Sequence, residues 1–329
     1  MGLKVAVLMG GTSHERAVSL SSGKQVCKAL EEVGYEVVPL DTTADLVDVL
    51  EQEKPDVVYS ALHGKHGEDG AIQSILELMG IPFVGSPSKV CRLSFDKAAI
   101  SKVLSDPFST NDLSSAHTPH KICMNQDAFT LMGAGKALKY LDQILNYPLA
   151  VKPNKQGSAY GVSKVNTFDE LGQAILHAFS YDDEILFEEW VDGVELAISV
   201  VAAGEDAFCL PAVEIVPKEG KLYDFEARMD RNSIDYYAPC RLESLSSSRE
   251  DAEAIYAELE RAALQVYKAY GCRDLARIDM IWDGGKAQVL EIEVSPGMTD
   301  LSLFPMAVSA SNETLGEILA SLIDQAIAR

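Results

Sequence analysis

The sequence predicts an α/β fold that begins with a doubly wound parallel sheet, and three observations support this prediction. Strand and helix patterns alternate along residues 5–84, the order that produces parallel strands joined by helices. Two glycine-containing turns, Gly10-Gly11 and His63-Gly64, follow the first and third strands, at the sheet edge where such folds bind ligands. The chain of 329 residues is also long for one core, which predicts further domains.

The first predicted domain covers residues 1–95. Its strands are expected at 5–9, 35–40, 57–62 and 81–84, and its helices at 15–33, 44–51 and 70–79. The second domain covers residues 96–191 and opens with a helix at 97–104 and a weakly patterned polar stretch at 105–120. Its remaining elements are strands at 149–152, 163–165 and 185–189 and a helix at 168–179.

The third predicted domain covers residues 192–329. Its elements are strands at 197–202 and 212–216, an irregular segment at 223–239, a long helix at 249–270 and a terminal helix at 315–328. Between the two helices, strands at 275–282 and 288–294 flank the turn Asp283-Gly284-Gly285, which predicts a β-hairpin.

The composition excludes several classes of protein. The formal net charge of −22 argues against nucleic-acid or anionic-membrane partners, since both require a basic surface. The six cysteines include no CxxC pair, which predicts reduced thiols and no zinc site. The amino-terminal residues enter a strand directly, and no apolar run is long enough to cross a membrane. We therefore expect a cytoplasmic protein.

Three carboxylates are predicted to meet on the hairpin. Side chains two apart on a strand point the same way, so Glu291 and Glu293 share a face, and Asp279 lies on the neighbouring strand. Grouped carboxylates repel one another unless a cation lies among them, and oxygen ligands favour Mg²⁺ or Mn²⁺. The sequence therefore predicts a metal site of the kind used with ATP, although a solvated polar strand face would show the same alternation.

Basic residues and a loop could supply a phosphate site. Lys152 ends a strand and is followed by the Gly157-Ser158 loop, whose backbone N–H groups could close over phosphates, but a plain surface loop is equally compatible. Lys97 could be a second phosphate lysine or a solvated surface residue. Residues 188–195 form an acidic linker that could bind an adenine edge and ribose hydroxyl groups, or be only a linker.

Four further residues are candidates for substrate binding or catalysis. His63 could hydrogen-bond a small acidic ligand or be an incidental loop histidine. Glu15 could be a helix-capping residue or could bind a substrate ammonium. Arg277 could be a counter-ion for the hairpin carboxylates, but we prefer a role in stabilising an oxyanion together with the Gly297 N–H, because both groups border the predicted metal site.

Taken together, the motifs resemble those of D-alanine–D-alanine ligases of the ATP-grasp superfamily, nearly end to end and in the same order. The motifs that carry the resemblance are Gly10-Gly11-Thr12-Ser13 with Glu15, His63-Gly64 with Gly67-Glu68-Asp69-Gly70, Gly80-Ile81-Pro82, Asp96-Lys97, Lys152-Pro153, Gly157-Ser158, Tyr223-Asp224-Phe225-Glu226-Ala227, Arg277-Ile278-Asp279 and Ser295-Pro296-Gly297-Met298-Thr299.

The resemblance implies a Rossmann-like first domain followed by a two-subdomain ATP-grasp fold, and an ATP-driven reaction through an acyl phosphate. It implies that Glu15 binds the ammonium group of the first substrate, with Ser158 nearby, and that His63 contacts substrate. It also implies that Ser302 and Leu303 approach the second substrate. Arg277 and Gly297 would stabilise the tetrahedral intermediate. Phosphates are expected at Lys97, Lys152 and Arg228, the nucleoside at Glu188, Trp190, Val191 and Glu195, and two Mg²⁺ ions at Asp279, Glu291 and Glu293. A homodimer is also implied.

The chain departs from the family pattern at four positions. Glu293 stands where the family usually has asparagine, which adds negative charge to the metal site. Arg228 replaces a lysine, Ala159 replaces a serine, and Met229 replaces a tyrosine that completes a triad with Glu15 and Ser158. Because loss of that tyrosine is associated in the family with D-lactate as second substrate, a depsipeptide ligase is the alternative to a D-alanine–D-alanine ligase. A third and weaker alternative is a non-catalytic relative that binds nucleotide.

Overall fold

The computed structural model describes residues 2–42, 45–106, 111–202, 206–218, 223, 225–230 and 232–329, without the side chains of Phe225 and Met229. The first part of the chain forms the predicted parallel sheet, in the order β2-β1-β3-β4. Its elements are β1 (Lys4–Met9), α1 (Arg16–Glu32), β2 (Glu36–Asp41), α2 (Leu46–Glu53), β3 (Val57–Ser60), α3 (Ala71–Met79) and β4 (Phe83–Val84). The predicted start of the second helix, Ala44, lies outside the described residues.

A second sheet of four strands has the order β6-β9-β7-β8 and is antiparallel. The chain reaches it through α4 (Ser88–Phe95), α5 (Ala99–Leu104) and the short β5 (Ala116–His117). The elements of this unit are β6 (Lys121–Asn125), α6 (Gln126–Met132), α7 (Ala134–Ile144), β7 (Leu149–Pro153), β8 (Ser163–Val165), α8 (Phe168–Phe179) and β9 (Glu184–Glu189).

The largest sheet has seven strands, in the order β13-β12-β10-β14-β15-β5 with β11 beside β10. Its elements are β10 (Val194–Ala202), β11 (Ala207–Cys209), β12 (Val213–Pro217), α9 (Phe225–Met229), β13 (Ile234–Tyr237), α10 (Leu242–Leu245), α11 (Arg249–Tyr270), β14 (Leu275–Trp282) and β15 (Ala287–Glu293). The predicted hairpin is β14 paired with β15. α12 (Leu303–Ser309) and α13 (Leu315–Ala328) follow, and α13 packs against α1, β3 and β4.

The predicted fold class is confirmed, including the parallel first sheet. Several elements were not predicted: α4, β5, the run from β6 to α7, β11, α10 and α12, and the helix α9 and strand β13 within the segment expected to be irregular. β6 alternates only partly buried and exposed positions, and α6 has no buried residue, so the hydrophobic pattern there is weak. Among the described residues, no helix combines the length and apolarity needed to cross a membrane.

Candidate active site

The predicted site residues line two neighbouring cavities, one of about 400 Å³ and one of about 300 Å³. We call them the substrate cavity and the nucleotide cavity, after the ligands that the resemblance assigns to their lining residues. The substrate cavity is bordered by Glu15, His63, Ser158, Arg277, Glu293, Gly297, Ser302 and Leu303. The nucleotide cavity is bordered by Lys97, Lys152, Glu188, Trp190, Val191, Glu195 and Asp279. Tyr223, Arg228 and Glu291 border both, so residues far apart in the sequence meet at one composite site.

The hairpin carries the acidic and basic groups between the two cavities. In the β14–β15 ladder Arg277 lies opposite Glu293, and Asp279 lies opposite Glu291. Arg277 donates two hydrogen bonds to Asp279, from Nε to Oδ1 at 2.7 Å and from Nη2 to Oδ2 at 2.8 Å. Both side chains are buried. Arg277 is therefore paired with a predicted metal ligand on its own strand, a contact that strand periodicity allows because the two residues are two apart.

The predicted carboxylates do not form a ready cluster. Glu291 Oε2 lies 2.9 Å from Lys97 Nζ, and Glu293 Oε1 accepts a hydrogen bond from the Ser295 N–H at 3.0 Å. Within the part of the chain that the structure describes, no three histidine, cysteine, aspartate or glutamate side chains are grouped so that they could hold a metal ion. Two of the three predicted ligands, Asp279 and Glu291, instead face basic side chains.

Charge in this region is unevenly balanced. Burial would raise the pKa of Glu291, but Lys97 outweighs burial and holds it below its usual range. Burial and the nearby Glu68 carboxyl raise the pKa of Glu293 well above its usual range. Burial and Glu15 do the same to Glu68. Glu68 belongs to a motif quoted from the sequence, but no role was predicted for it. Its position in the turn from His63 to Gly70 could have indicated that it lies near His63.

Glu15 is enclosed at the end of the parallel sheet. Its side chain is 2 % exposed, and its Oε2 atom has no hydrogen-bond partner among the described residues. Two glycines make this enclosure possible: a Cβ atom on Gly64 would lie 2.6 Å from Glu15 Oε2, and one on Gly157 would lie 3.0 Å from Oε1. A buried carboxylate oxygen without a donor fits a site for a bound ammonium.

His63 lies beside Glu15 and is fixed by two polar groups. Its Nε2 atom is 2.9 Å from Ser22 Oγ, and its Nδ1 atom is 3.4 Å from Glu68 Oε1. Burial lowers the pKa of His63, even though Glu15 and Glu293 oppose this effect. The imidazole is therefore held neutral and oriented at the cavity wall.

The turn after the hairpin forms the opposite wall of the substrate cavity. Gly297 packs so closely against Ser302 that a Cβ atom would lie 2.7 Å from the Ser302 Oγ. Ser302 Oγ also accepts a hydrogen bond from the Thr299 N–H at 3.0 Å, and Leu303 begins α12 as a buried residue. Ser158 reaches the cavity from the glycine loop with a positive φ of 49°, a strained conformation for a residue with a side chain.

The nucleotide cavity combines a buried ion cluster with a more open aromatic wall. Glu188 Oε1 accepts a hydrogen bond from Lys152 Nζ at 2.6 Å. Trp190 donates from Nε1 to Asp192 Oδ1 at 2.9 Å, and the Lys164 ammonium lies 4.1 Å from the centre of the Trp190 ring. Val191 also lines the cavity, which therefore offers both apolar surface and charge.

Glu195 and Arg228 also line the nucleotide cavity. Burial raises the pKa of Glu195 to about 7, because Arg228 offsets only part of the desolvation. The Arg228 guanidinium stacks 4.1 Å from the centre of the Tyr223 ring, which holds it at the border between the two cavities. Tyr223 was in a motif quoted from the sequence, but stacking on Arg228 was not predicted.

The whole chain is similar to a group of known ligases. The family model for the D-ala D-ala ligase C-terminus matches residues 118–324, and the model for the D-ala D-ala ligase N-terminus matches residues 4–50 and 46–86. The D-alanine–D-alanine ligase of Citrifermentans bemidjiense is 36% identical over 324 residues, which cover 98% of this chain and 96% of the relative. That of Halalkalibacterium halodurans is 35% identical and covers 98% of both chains.

Solved structures agree with these relatives. The D-alanine–D-alanine ligase from Bacillus anthracis complexed with ATP has a TM-score of 0.74 and 27% identity, covering 99% of this chain and 97% of that chain. The VanG D-Ala:D-Ser ligase from Enterococcus faecalis has a TM-score of 0.78 and 26% identity, covering 99% of this chain and all of the other, 100%. The similarity therefore includes both the fold and the full length of the chain.

Proposed function

Because the chain belongs to the D-alanine–D-alanine ligase family, we propose that it joins two D-alanine molecules to D-alanyl-D-alanine and converts ATP to ADP and phosphate. The observation that carries the proposal is the meeting of the family's motifs at two connected cavities, one suited to a small amino acid and one to a nucleotide. The dipeptide would serve as a peptidoglycan precursor.

The substrate cavity supplies groups for the two steps of the reaction. The Glu15 carboxylate, with its unpaired Oε2 atom, binds the ammonium of the first D-alanine. The carboxylate of that molecule attacks the γ-phosphate of ATP, and the amine of the second D-alanine then attacks the acyl phosphate and displaces phosphate. The Arg277 guanidinium and the Gly297 N–H stabilise the oxyanion of the tetrahedral intermediate. Ser302 and Leu303 border the place for the second substrate.

The nucleotide cavity orients ATP for this attack. Lys97, Lys152 and Arg228 supply positive charge for the phosphates, and Glu188, Trp190, Val191 and Glu195 surround the nucleoside. Holding both reactants in fixed positions removes most of the entropic cost of their meeting. The nucleotide and substrate cavities share Arg228 and Glu291, so the transferred phosphate would lie at their common border.

The donor set fits divalent magnesium in its chemistry. Asp279, Glu291 and Glu293 offer oxygen ligands on neighbouring strands, with Asp279 directly opposite Glu291. Mg²⁺, or Mn²⁺ in its place, would be held by these residues and would neutralise charge on the phosphates. Because Asp279 and Glu291 are paired with Arg277 and Lys97, the cation would compete with these basic partners for the carboxylate oxygens.

The decisive experiment measures phosphate release when the protein receives ATP, Mg²⁺ and D-alanine. We expect turnover that needs all three additions and a product with the mass of D-alanyl-D-alanine. Lys152→Met should abolish most turnover because it removes a phosphate contact, whereas Lys139→Met, an exposed lysine on α7, should leave it unchanged. No phosphate release above the rate without D-alanine would refute the ligase proposal.

A second candidate, a D-alanine–D-lactate ligase, is favoured by Met229 in place of the family's tyrosine. The Met229 side chain lies outside the described residues, so this candidate depends on the sequence alone. Competition between D-alanine and D-lactate, analysed by product mass across pH, separates the two. A depsipeptide that dominates near neutral pH would replace the D-alanine–D-alanine proposal, while dipeptide at every pH would exclude the alternative.

We also propose that the protein is a cytoplasmic homodimer. The location agrees with its use of ATP as a co-substrate, and the homodimer is implied by the resemblance to the family. Light scattering on the purified chain measures the mass in solution. A mass equal to that of one chain over the working concentration range would contradict the dimer.

A further inference from the structure

Glu188 is held from both sides by lysines, and one of them has no assigned role. Lys121 on β6 lies directly opposite Glu188 on β9, and Lys152 extends from β7 on the other side. The Lys121 Nζ atom is 2.7 Å from Glu188 Oε2, and the Lys152 Nζ atom is 2.6 Å from Oε1. Lys152 is two residues from Ala150, the ladder partner of Glu188, so all three charged side chains share one face of the sheet.

The two lysines differ in what else they can reach. Lys152 and Glu188 border the nucleotide cavity, but Lys121 does not. The Lys121 side chain is 3 % exposed, less than the 10 % of Lys152. Burial lowers the pKa of Lys121, although Glu188 opposes the effect. Lys121 can therefore affect the binding of a nucleotide only through its contact with Glu188.

The pairing of Glu188 controls how freely Lys152 can turn to a ligand. A buried carboxylate that loses its only counter-ion is strongly destabilised. With Lys152 as its sole partner, Glu188 would therefore hold that lysine back from the phosphates. With Lys121 on its other oxygen, Glu188 stays paired when Lys152 moves, and the positive charge of Lys152 becomes available to the nucleotide.

We propose that Lys121 is a positioning residue that keeps the Glu188 carboxylate paired so that Lys152 can bind the phosphates of ATP. This inference rests on the proposed function for the role of Lys152 in phosphate binding. It adds a residue outside the cavity to the groups that determine ATP affinity. The adenosine part of the ligand should be affected much less, because it does not require Lys152 to leave Glu188.

The test compares ATP and adenosine binding to the full chain by calorimetry. In Lys121→Met we expect ATP to bind at least about tenfold more weakly, because ATP binding would then leave a buried carboxylate unpaired, while adenosine affinity changes less than about twofold. Lys121→Gln should behave in the same way, and Lys121→Arg, which keeps the charge, should recover most of the ATP affinity. Lys136→Met, an exposed lysine on α7, is the matched control.

Kinetics give a second readout that a purely structural lysine would not produce. The KM for ATP should rise about tenfold in Lys121→Met, with kcat and the KM for D-alanine nearly unchanged. Equal losses for ATP and adenosine, or no loss for either, would overturn the proposal for Lys121. An inactive wild-type chain that still binds ATP would refute only the ligase function, because the binding comparison does not depend on turnover.

Discussion

The carboxylates of the two cavities differ in whether they have basic partners. In the nucleotide cavity, Glu188 has two lysine partners and Glu291 has Lys97. In the substrate cavity, Glu15 keeps an unpaired oxygen, and the pKa values of Glu68 and Glu293 are raised by burial and by neighbouring carboxyls. The nucleotide side is thus largely neutralised by the protein itself. The substrate side instead holds carboxyl groups without lysine or arginine partners among the described residues, and a bound cation such as an amino acid ammonium would stabilise their charged forms.

The largest test of this comparison is Glu15→Gln. Leaving a buried ammonium without its counter-ion costs about 3–5 kcal/mol, so kcat/KM for D-alanine should fall about 1,000-fold. ATP affinity should remain within about twofold of wild type, since Glu15 borders only the substrate cavity. Steady-state kinetics and nucleotide titration check both values. Parallel losses for ATP and D-alanine would mean that the two cavities are not electrostatically separate.

Glu195 is the exception within the nucleotide cavity, and its titration sharpens the comparison. Its pKa is near 7 in the folded protein and about 4.5 when unfolded, so the folded state holds a proton that the unfolded state releases between these values. The bound proton therefore stabilises the folded state fully below pH 4.5, and this stabilisation is lost as the pH rises to 7. The free energy of unfolding falls by up to about 3 kcal/mol over this range. Glu195→Gln should therefore gain stability relative to wild type across this window.

Denaturant unfolding of the ligand-free chain at several pH values measures that gain. The difference between Glu195→Gln and wild type should grow from pH 4.5 to 7 and then level off. Glu36→Gln, at an exposed position of β2, provides a control that should show no such trend. A constant difference at every pH would contradict the raised pKa.

Glu293→Asn tests the extra negative charge beside the metal ligands. Glu293→Asn removes one negatively charged ligand, and the affinity of a site for Mg²⁺ depends on the number of charged ligands. The Mg²⁺ concentration that gives half-maximal activity should therefore rise about tenfold. Activity measured against free Mg²⁺ at saturating ATP reports this value. An unchanged Mg²⁺ requirement would mean that Glu293 contributes no charge to the metal site.

The smallest expected effect is that of Lys164→Met. The Lys164 ammonium over the Trp190 ring is a cation–π contact at the edge of the nucleotide cavity, worth about 0.5–1 kcal/mol. Its loss should raise the KM for ATP about two- to fivefold and leave the KM for D-alanine unchanged. A larger effect on D-alanine than on ATP would contradict the separation of the two cavities.

Strong hydrophobic patterns made much of the fold predictable. The bounds of α8, α11 and α13 agree with the sequence prediction because each helix presents a regular buried stripe and begins after a threonine or serine. β6 and α6 were missed because their burial is partial or absent. α7 was missed although it buries Ala137 and Leu141, which lie four residues apart on one helix face. The domain limits near residues 95 and 191 stay predictions.

The lining of the two cavities was predictable from the motifs, but the pairing of its side chains was predictable only in part. Most residues chosen from the motifs border one cavity or the other, while their roles stay predictions. The Arg277–Asp279 pair was one of the two alternatives for Arg277, because the residues lie two apart on one strand. Sequence could not show that Glu291 would face Lys97, because that pair depends on side-chain orientation across folded elements. Lys121 was missed for the same reason: it lies in a weakly patterned strand and touches the site only through Glu188.

The two glycines around Glu15 also make the position of this carboxylate depend on the main chain. A Cβ atom on Gly64 would lie 2.6 Å from Glu15 Oε2, and one on Gly157 would lie 3.0 Å from Oε1. Gly64 also has a positive φ of 68°, which residues with a Cβ atom rarely adopt. Even alanine at Gly64 would therefore push the carboxylate aside, so the shape of this part of the cavity wall is set by a backbone turn that tolerates no larger residue.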